Sequence, residues 1–395
     1  MGREAIRSGG LWRPLSRRLE TIKLTASFKL NGFVPDELFQ AYRQILSELL
    51  DYACDRGVSS FKRLKSEKYC DLRARYPSLP SHYIYTACQM ACSIYKSFRK
   101  LKRRSKVRSE KPLFRKDVIM LDDHLFSINL DKWEASIATE AGRMVFRILH
   151  GTYHEKFRGM KVGQAWLVRR RDGHYLKVVF SKTVEIAEPG GKTLAIDVNE
   201  SSVAYGAENK IGVLKTGERV IRTAYFLKRR RLQSKPRLNE KPILAKYRGR
   251  EARRVEAIYH GIANSLIEEA KRQGCTTIVL EDLKNIRRRI RKSKALSGRL
   301  NRWGFRRLQH IIEYKAKLNG LSVVYVKAWG TSSLCPKCRG RLSPSGYRLM
   351  KCPRCGLEED RDIIAVKNLL QRIQINVPAS TVHGESPPMK GGGKR

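Results

Sequence analysis

Two C-x2-C pairs, Cys335-Pro336-Lys337-Cys338 and Cys352-Pro353-Arg354-Cys355, stand 13 residues apart. Each pair curls into a knuckle whose thiolates face one centre, and two knuckles complete a tetrahedral site. Four thiolates leave no coordination position open, so the expected ion is one structural Zn²⁺ that contributes folding energy and no chemistry. A rubredoxin-type iron site uses similar knuckles, but the basic surroundings suit nucleic acid better than electron transfer. The other cysteines, Cys54, Cys70, Cys88, Cys92 and Cys275, lie in apolar or helical contexts and read as reduced core side chains. That usage fits a cytoplasmic, reducing location.

The surroundings are basic throughout. Lys and Arg number 82 against 37 Asp and Glu, a formal net charge of +45 spread along the chain. A fold with that excess repels itself unless a polyanion neutralises it, so the expected partner is nucleic acid. Adaptation to heat is a weaker explanation, because ion-pair networks need both signs in similar numbers. No apolar run reaches the roughly 18 to 20 residues that a membrane span requires, so no membrane partner is expected. Residues 1–19 are basic without an apolar stretch and read as a disordered lead-in, not a secretory signal.

Hydrophobic periodicity divides the remainder. Residues 20 to 30 alternate apolar and polar as a strand does. Helical stripes follow at 35 to 56 and 81 to 104. Short strands return from 112 to 188, with Asp172-Gly173 as a hairpin signal. We expect a β-barrel domain from 20–34 and 105–188, carrying a helical insertion at 35–104. After Pro189-Gly190-Gly191, buried-strand runs at 193 to 198, 276 to 280 and 321 to 326 alternate with helices at 219 to 233, 246 to 273 and 303 to 318. Residues 199 to 214 supply two further strands, and a last helix runs from 362 to 373. This alternation indicates an α/β domain from 189–330 and 357–375. The cysteine segment, 331–356, is inserted into it, and a Gly, Pro and Ser-rich tail at 376–395 reads as disordered.

Two carboxylates end buried strands: Asp197 closes TLAID and Glu281 closes TIVLE. Ligand sites in open α/β sheets form at the C-terminal strand edge. A third acidic group lies in Glu-Glu-Asp-Arg-Asp, 358 to 362, at the start of the last helix. Three carboxylates can hold two Mg²⁺ ions for phosphodiester hydrolysis. Taken alone, each is as readily a cap or an ion-pair partner, and Asp282 or Asp360 are alternatives to their neighbours.

The series AIDVN, IVLEDLKNI, TSSLCPKC, CPRCG and DRDIIAVKNLL resembles TnpB proteins, transposon-associated RNA-guided nucleases related to type V CRISPR effectors. The resemblance is clearest from about 190 to 372. It implies a RuvC-like, RNase H-type domain with an inserted zinc ribbon, plus a wedge-type barrel with a helical recognition insertion. It assigns Asp197, Glu281 and Asp362 as catalytic Mg²⁺ ligands. It implies a guide RNA from the element's end and cleavage of double-stranded DNA beside a short target-adjacent motif. The chain departs from the family pattern at Asn199, where Gly is common, and at Ile364, where Asn is common. A site made inactive, leaving a DNA-binding regulator, is the alternative, and a strand-joining transposase a more distant one.

The basic stretches are the expected nucleic-acid contacts: Arg287, Arg288, Arg289 and Arg291 after Glu281, Lys228, Arg229 and Arg230 on the helix at 219 to 233, and Lys100, Arg103 and Arg104 at the end of the second helix. Tyr83, Tyr85 and Tyr95 read as helix packing or as stacking platforms.

Overall fold

The computed structural model describes residues 17–208, 210–234, 240–284, 286 and 293–376. They fall into two units, one of residues 21–183 and one of the described residues from 184 onward with 17–20.

The first unit begins in β1 (Arg17–Asn31) and continues into α1 (Asp36–Asp55), α2 (Phe61–Arg75) and α3 (His82–Arg103). Strands β2 (Val118–Leu121), β3 (Phe126–Asn129), β4 (Glu134–Thr139), β5 (Gly142–Leu149), β6 (Lys161–Arg170) and β7 (Gly173–Ala187) follow, with the short helix α4 (Thr152–Glu155) between β5 and β6. They form a seven-stranded sheet in the order β2-β6-β7-β1-β5-β4-β3, which is the arrangement found where a barrel was expected. Arg170 pairs with Gly173, so the hairpin turn is Arg171-Asp172, and Gly173 supplies a φ of 128° that other residues adopt at a cost. One core joins sheet and helices, from Phe28 and Phe180 to Tyr42, Leu46 and Ile84. Helix α2 was not expected from periodicity. It buries only Leu64 and Leu72, and much of its remaining surface is charged.

The second unit opens with β8 (Thr193–Val198), β9 (Ser202–Ala207) and β10 (Lys210–Lys215). Helices α5 (Glu218–Gln233) and α6 (Glu240–Arg272) lead to β11 (Thr277–Asp282). Then come α7 (Lys294–Arg302), α8 (Phe305–Leu318) and β12 (Ser322–Lys327). The sheet order is β10-β9-β8-β11-β12: β8, β9 and β10 are antiparallel, while β8, β11 and β12 run parallel. The result is a mixed α/β sheet. Strand β8 is buried at every position, as a strand covered on both faces must be. Val255, Leu266, Ile311 and Ile312 of α6 and α8 cover one face. The final helix α9 (Arg361–Asn376) covers the other, with Val366, Leu369 and Ile373 against Ala195, Val279 and Val326.

Two boundaries differ from expectation. Helix α6 starts at Glu240, not 246, because Pro242 sits in its first turn, where a missing N–H is harmless. The basic segment read as loop contains α7, whose Ser293 accepts the Leu296 N–H as a cap. Between β12 and α9 lies a three-stranded antiparallel sheet, β13 (Ser343–Pro344), β14 (Leu349–Lys351) and β15 (Glu358–Asp360). No helix among the described residues is long and apolar enough to cross a membrane.

Candidate metal centre and nucleic-acid interface

The parallel register pairs Thr277 with Thr193 and Leu280 with Ile196, so Asp197 and Glu281 are the next residues on adjacent strands. Alternation along β11 then separates neighbours. Glu281 is buried, whereas Asp282 turns outward to Lys284 and Arg306. Asp362 enters from the first turn of α9 and is 1% exposed. Asp360 is more open, and its carboxylate caps the Asp362 N–H at 2.7 Å.

Burial pushes the Asp197 carboxyl up to about 7, with the charges of Glu281 and then Asp362 adding to it. Burial also raises Glu281. A hydrogen bond opposes the Asp197 shift only in part: Asn199 Nδ2 donates to Asp197 Oδ2 at 2.7 Å. The Ser202 hydroxyl donates to Asp362 Oδ2 at 3.3 Å. Buried hard oxygen donors of this kind fit Mg²⁺. The family departure at Asn199 therefore places an amide on the first carboxylate.

Arg348 is a functional candidate that sequence reasoning missed. It donates to Asp362, and its Nε reaches Asp360 at 3.3 Å. It sits at φ 69° in the turn before β14, held there by these pairs.

The four cysteine sulfurs all lie within 4.8 Å of one another, with Cys335–Cys355 and Cys338–Cys352 each at 3.5 Å. A tetrahedron with Zn–S bonds of about 2.3 Å has sulfur–sulfur edges of about 3.8 Å, so the set fits zinc. The three carboxylates are not gathered so tightly among the described residues. Ile364, the second family departure, is fully buried with Cys335, Leu342 and Cys352. It packs the ribbon onto α9.

The expected nucleic-acid contacts divide. Lys228 and Arg230 are exposed on α5, and Lys100, Arg103 and Arg104 are exposed at the end of α3. Arg229 is instead engaged by Glu251, itself 7% exposed. Arg287, Arg288, Arg289 and Arg291 lie outside the described residues. Tyr83 is buried and donates to the Ala138 carbonyl, and Tyr95 belongs to the core. Tyr85 lines a cleft of about 460 Å³ with Phe61, Lys62, Lys65 and Tyr69, where Lys65 Nζ lies 4.7 Å from its ring centre. Cys70, expected in the core, is exposed at the edge of that cleft.

The solved structure of the mini-RNA-guided endonuclease CRISPR-Cas_phi3 matches with a TM-score of 0.56 at 11% identity, over 91% of this chain and 93% of that one. Residues 305–369 match the family described as Cas12f1-like, TNB domain, and residues 38–137 match the uncharacterized protein MJ0013 family. The chain belongs to the TnpB-like family: a TnpB-like protein of Methanocaldococcus jannaschii is 43% identical over 194 residues, 46% of this chain and 69% of that one. The CRISPR-associated endodeoxyribonuclease Cas12f1 of Sulfoacidibacillus thermotolerans is 33% identical over 112 residues, 28% of this chain and 25% of that one.

Proposed function

We propose that the chain is an RNA-guided, metal-dependent DNA endonuclease that uses a transposon-derived guide RNA to cut double-stranded DNA beside a short target-adjacent motif. The observation that carries this reading is the burial of Asp197 and Glu281 at the ends of the adjacent strands β8 and β11 and of Asp362 at the start of α9. Membership of the TnpB-like family supports the guided mode.

Asp197, Glu281 and Asp362 would hold Mg²⁺, which when bound supplies Lewis-acid activation of water and charge stabilisation at the phosphate. Burial and the neighbouring carboxylates hold a proton on Asp197, and Mg²⁺ would compete with it. Asn199 and Ser202 fix the orientation of the carboxylates they touch. Arg348 places positive charge where the phosphate of the cut strand would arrive. The first unit, with its seven-stranded sheet, would serve as the wedge and recognition part. The basic, aromatic cleft of Lys65, Phe61 and Tyr85 supports a nucleic-acid surface on its helices. Guide–target duplex would be held by its shape and backbone, not by its bases.

The test is purification from the host, sequencing of bound small RNA, and cleavage of a matching duplex with Mg²⁺. A discrete RNA from the neighbouring locus and cut ends that disappear in Asp197→Ala are the expected results. Recovery of no discrete RNA removes the guided reading. Guided binding with no cut ends in Mg²⁺ or Mn²⁺ makes the chain a DNA-binding regulator.

A further inference from the structure

Residues 328–334 join the end of β12 to the first cysteine knuckle. Val326 of β12 lies opposite Glu281 of β11 in the parallel register, so this segment leaves the sheet beside that carboxylate. It is a tight turn. Gly330 stands at φ 73°, the Leu334 N–H donates to the Gly330 carbonyl at 3.2 Å, and a Cβ on Gly330 would lie 2.9 Å from Leu334 Cδ1. Helix α9 holds the turn from outside, where Arg372 donates to the carbonyls of Lys327 and Trp329.

Thr331 lies inside this turn and is buried. Its hydroxyl is within hydrogen-bond reach of two oxygens, the Ala328 carbonyl at 3.0 Å and the Glu281 carboxylate. The hydroxyl has one proton to give, and a charged acceptor binds it more strongly than a carbonyl. The main chain of Thr331 is fixed in turn by the ribbon. Its carbonyl accepts Asn368 Nδ2 at 2.8 Å, and the same nitrogen donates to the Leu334 carbonyl, next to Cys335, at 2.8 Å. Asn368 Oδ1 accepts from Arg339 Nη1 at 3.3 Å, just past Cys338. One fully buried amide therefore grips both ends of the first knuckle and the residue that touches Glu281.

We propose that Thr331 is a positioning residue for Glu281 and that, through Asn368, it couples the cysteine knuckle to divalent-metal binding at the carboxylates. The ribbon then tunes the affinity of the candidate centre in addition to bracing the fold. This rests on the reading of Asp197, Glu281 and Asp362 as a metal centre. Groups that hydrogen-bond a ligating carboxylate fix its orientation, and their loss costs about 10- to 100-fold in metal affinity. The coupling is reciprocal, so metal at the carboxylates tightens the hold of the knuckle on its zinc.

The experiment titrates Mn²⁺ into the zinc-loaded full chain, freed of nucleic acid by high salt, and reads free Mn²⁺ by electron paramagnetic resonance. Zinc per chain is measured on the same samples. Mn²⁺ bound by the wild type but not by Asp197→Ala defines the carboxylate centre. Thr331→Val keeps the side-chain shape and should weaken that binding at least about tenfold, with the wild-type zinc content. Thr331→Ser returns the hydroxyl and should recover the affinity. Asn368→Ala should weaken Mn²⁺ binding as well. The double variant should lose little more than the larger single loss, because both changes act through one contact. Wild-type Mn²⁺ affinity in Thr331→Val, or no recovery in Thr331→Ser, overturns the positioning role. Loss of zinc together with Mn²⁺ in Thr331→Val makes Thr331 a folding residue and overturns it too. Losses that add in the double variant overturn the coupling. Undiminished Mn²⁺ binding in Asp197→Ala removes the carboxylate centre and the proposal together, whereas each of the other failures leaves the reading of the three carboxylates standing.

Discussion

Arg348 of the ribbon hairpin and Asp362 of α9 form an ion pair across the boundary between two structural elements, and the carboxylate end of that pair is almost fully buried. Removing the cation leaves a buried charge uncompensated. A fully buried pair broken in this way costs about 3 to 5 kcal/mol, but the Arg348 side chain is 37% exposed, which reduces the cost to about 1 to 2 kcal/mol. Arg348→Ala should therefore lower Tm without added metal. Mg²⁺ should then restore more stability to the variant than it adds to the wild type, because the guanidinium no longer competes for Asp362. Thermal melts with and without Mg²⁺ measure both effects. Equal Mg²⁺-induced shifts would mean that Arg348 and the metal do not share this carboxylate.

Asp197 carries a pH signature. Its folded value of about 7 stands above the ordinary 3.8. A proton bound more tightly in the folded state stabilises that state. The contribution is complete below about pH 4 and is lost as pH rises through about 7. Without divalent metal, the wild type should therefore lose Tm relative to Asp197→Asn, which cannot ionise there, between about pH 4 and 7. Mg²⁺ competes with that proton, so its stabilisation should be larger at pH 8 than at pH 6. A wild-type minus variant difference that stays flat over this window counts against the raised value.

Asp197, Glu281 and the four cysteines were legible because each carries a local signature: a buried-strand run that ends in a carboxylate, or a fixed knuckle spacing. Arg348 had none. It is one basic residue among 82, and its meaning arises only when β14 pairs with β15, Leu349 opposite Asp360, and brings it to Asp362. Arg229 misled for the opposite reason. In sequence it is one of a cationic run, but Glu251 of α6, 22 residues away, claims it. Helix α2 was hidden by composition, since a charged helix with few buried positions shows no apolar stripe. The buried-strand runs that became β8, β11 and β12 made the α/β domain legible, whereas the order of the seven-stranded sheet depends on long-range pairing that no local pattern encodes.

Asn368 braces the ribbon against α9. It is fully buried, and its Nδ2 donates to the carbonyls of Thr331 and Leu334, each at 2.8 Å. Asn368→Ala leaves two carbonyls without that donor, at a cost of about 1 to 3 kcal/mol. Because the Leu334 carbonyl immediately precedes Cys335, the first knuckle should loosen and zinc should leave faster. Release into a colorimetric chelator should accelerate in the variant, and Lys337→Ala, on the exposed side of the same knuckle, should release zinc at the wild-type rate. Equal rates for Asn368→Ala and wild type would separate the brace from metal retention.

The junction of α7 and α8 depends on an absent side chain. The Gly304 N–H donates to Glu218 Oε1 at 3.0 Å, and Glu218 is 1% exposed. The same carboxylate oxygen accepts Arg222 Nε at 2.5 Å, while Arg222 reaches the Tyr259 hydroxyl at 3.4 Å. A Cβ at position 304 would stand 2.5 Å from that hydroxyl and 2.8 Å from Arg222 Nη2, closer than packed atoms tolerate. Overpacking of this sort costs about 1 to 3 kcal/mol. Gly304→Ala should lower Tm by a corresponding amount. Because the clash is chiefly with one oxygen, Tyr259→Phe in the same chain should recover part of the loss, although Tyr259→Phe alone removes a hydrogen bond and is destabilising. The two changes must then be non-additive, as expected for side chains in contact. If the double variant loses the sum of the two single losses, the Tyr259 hydroxyl is not what excludes a side chain at Gly304.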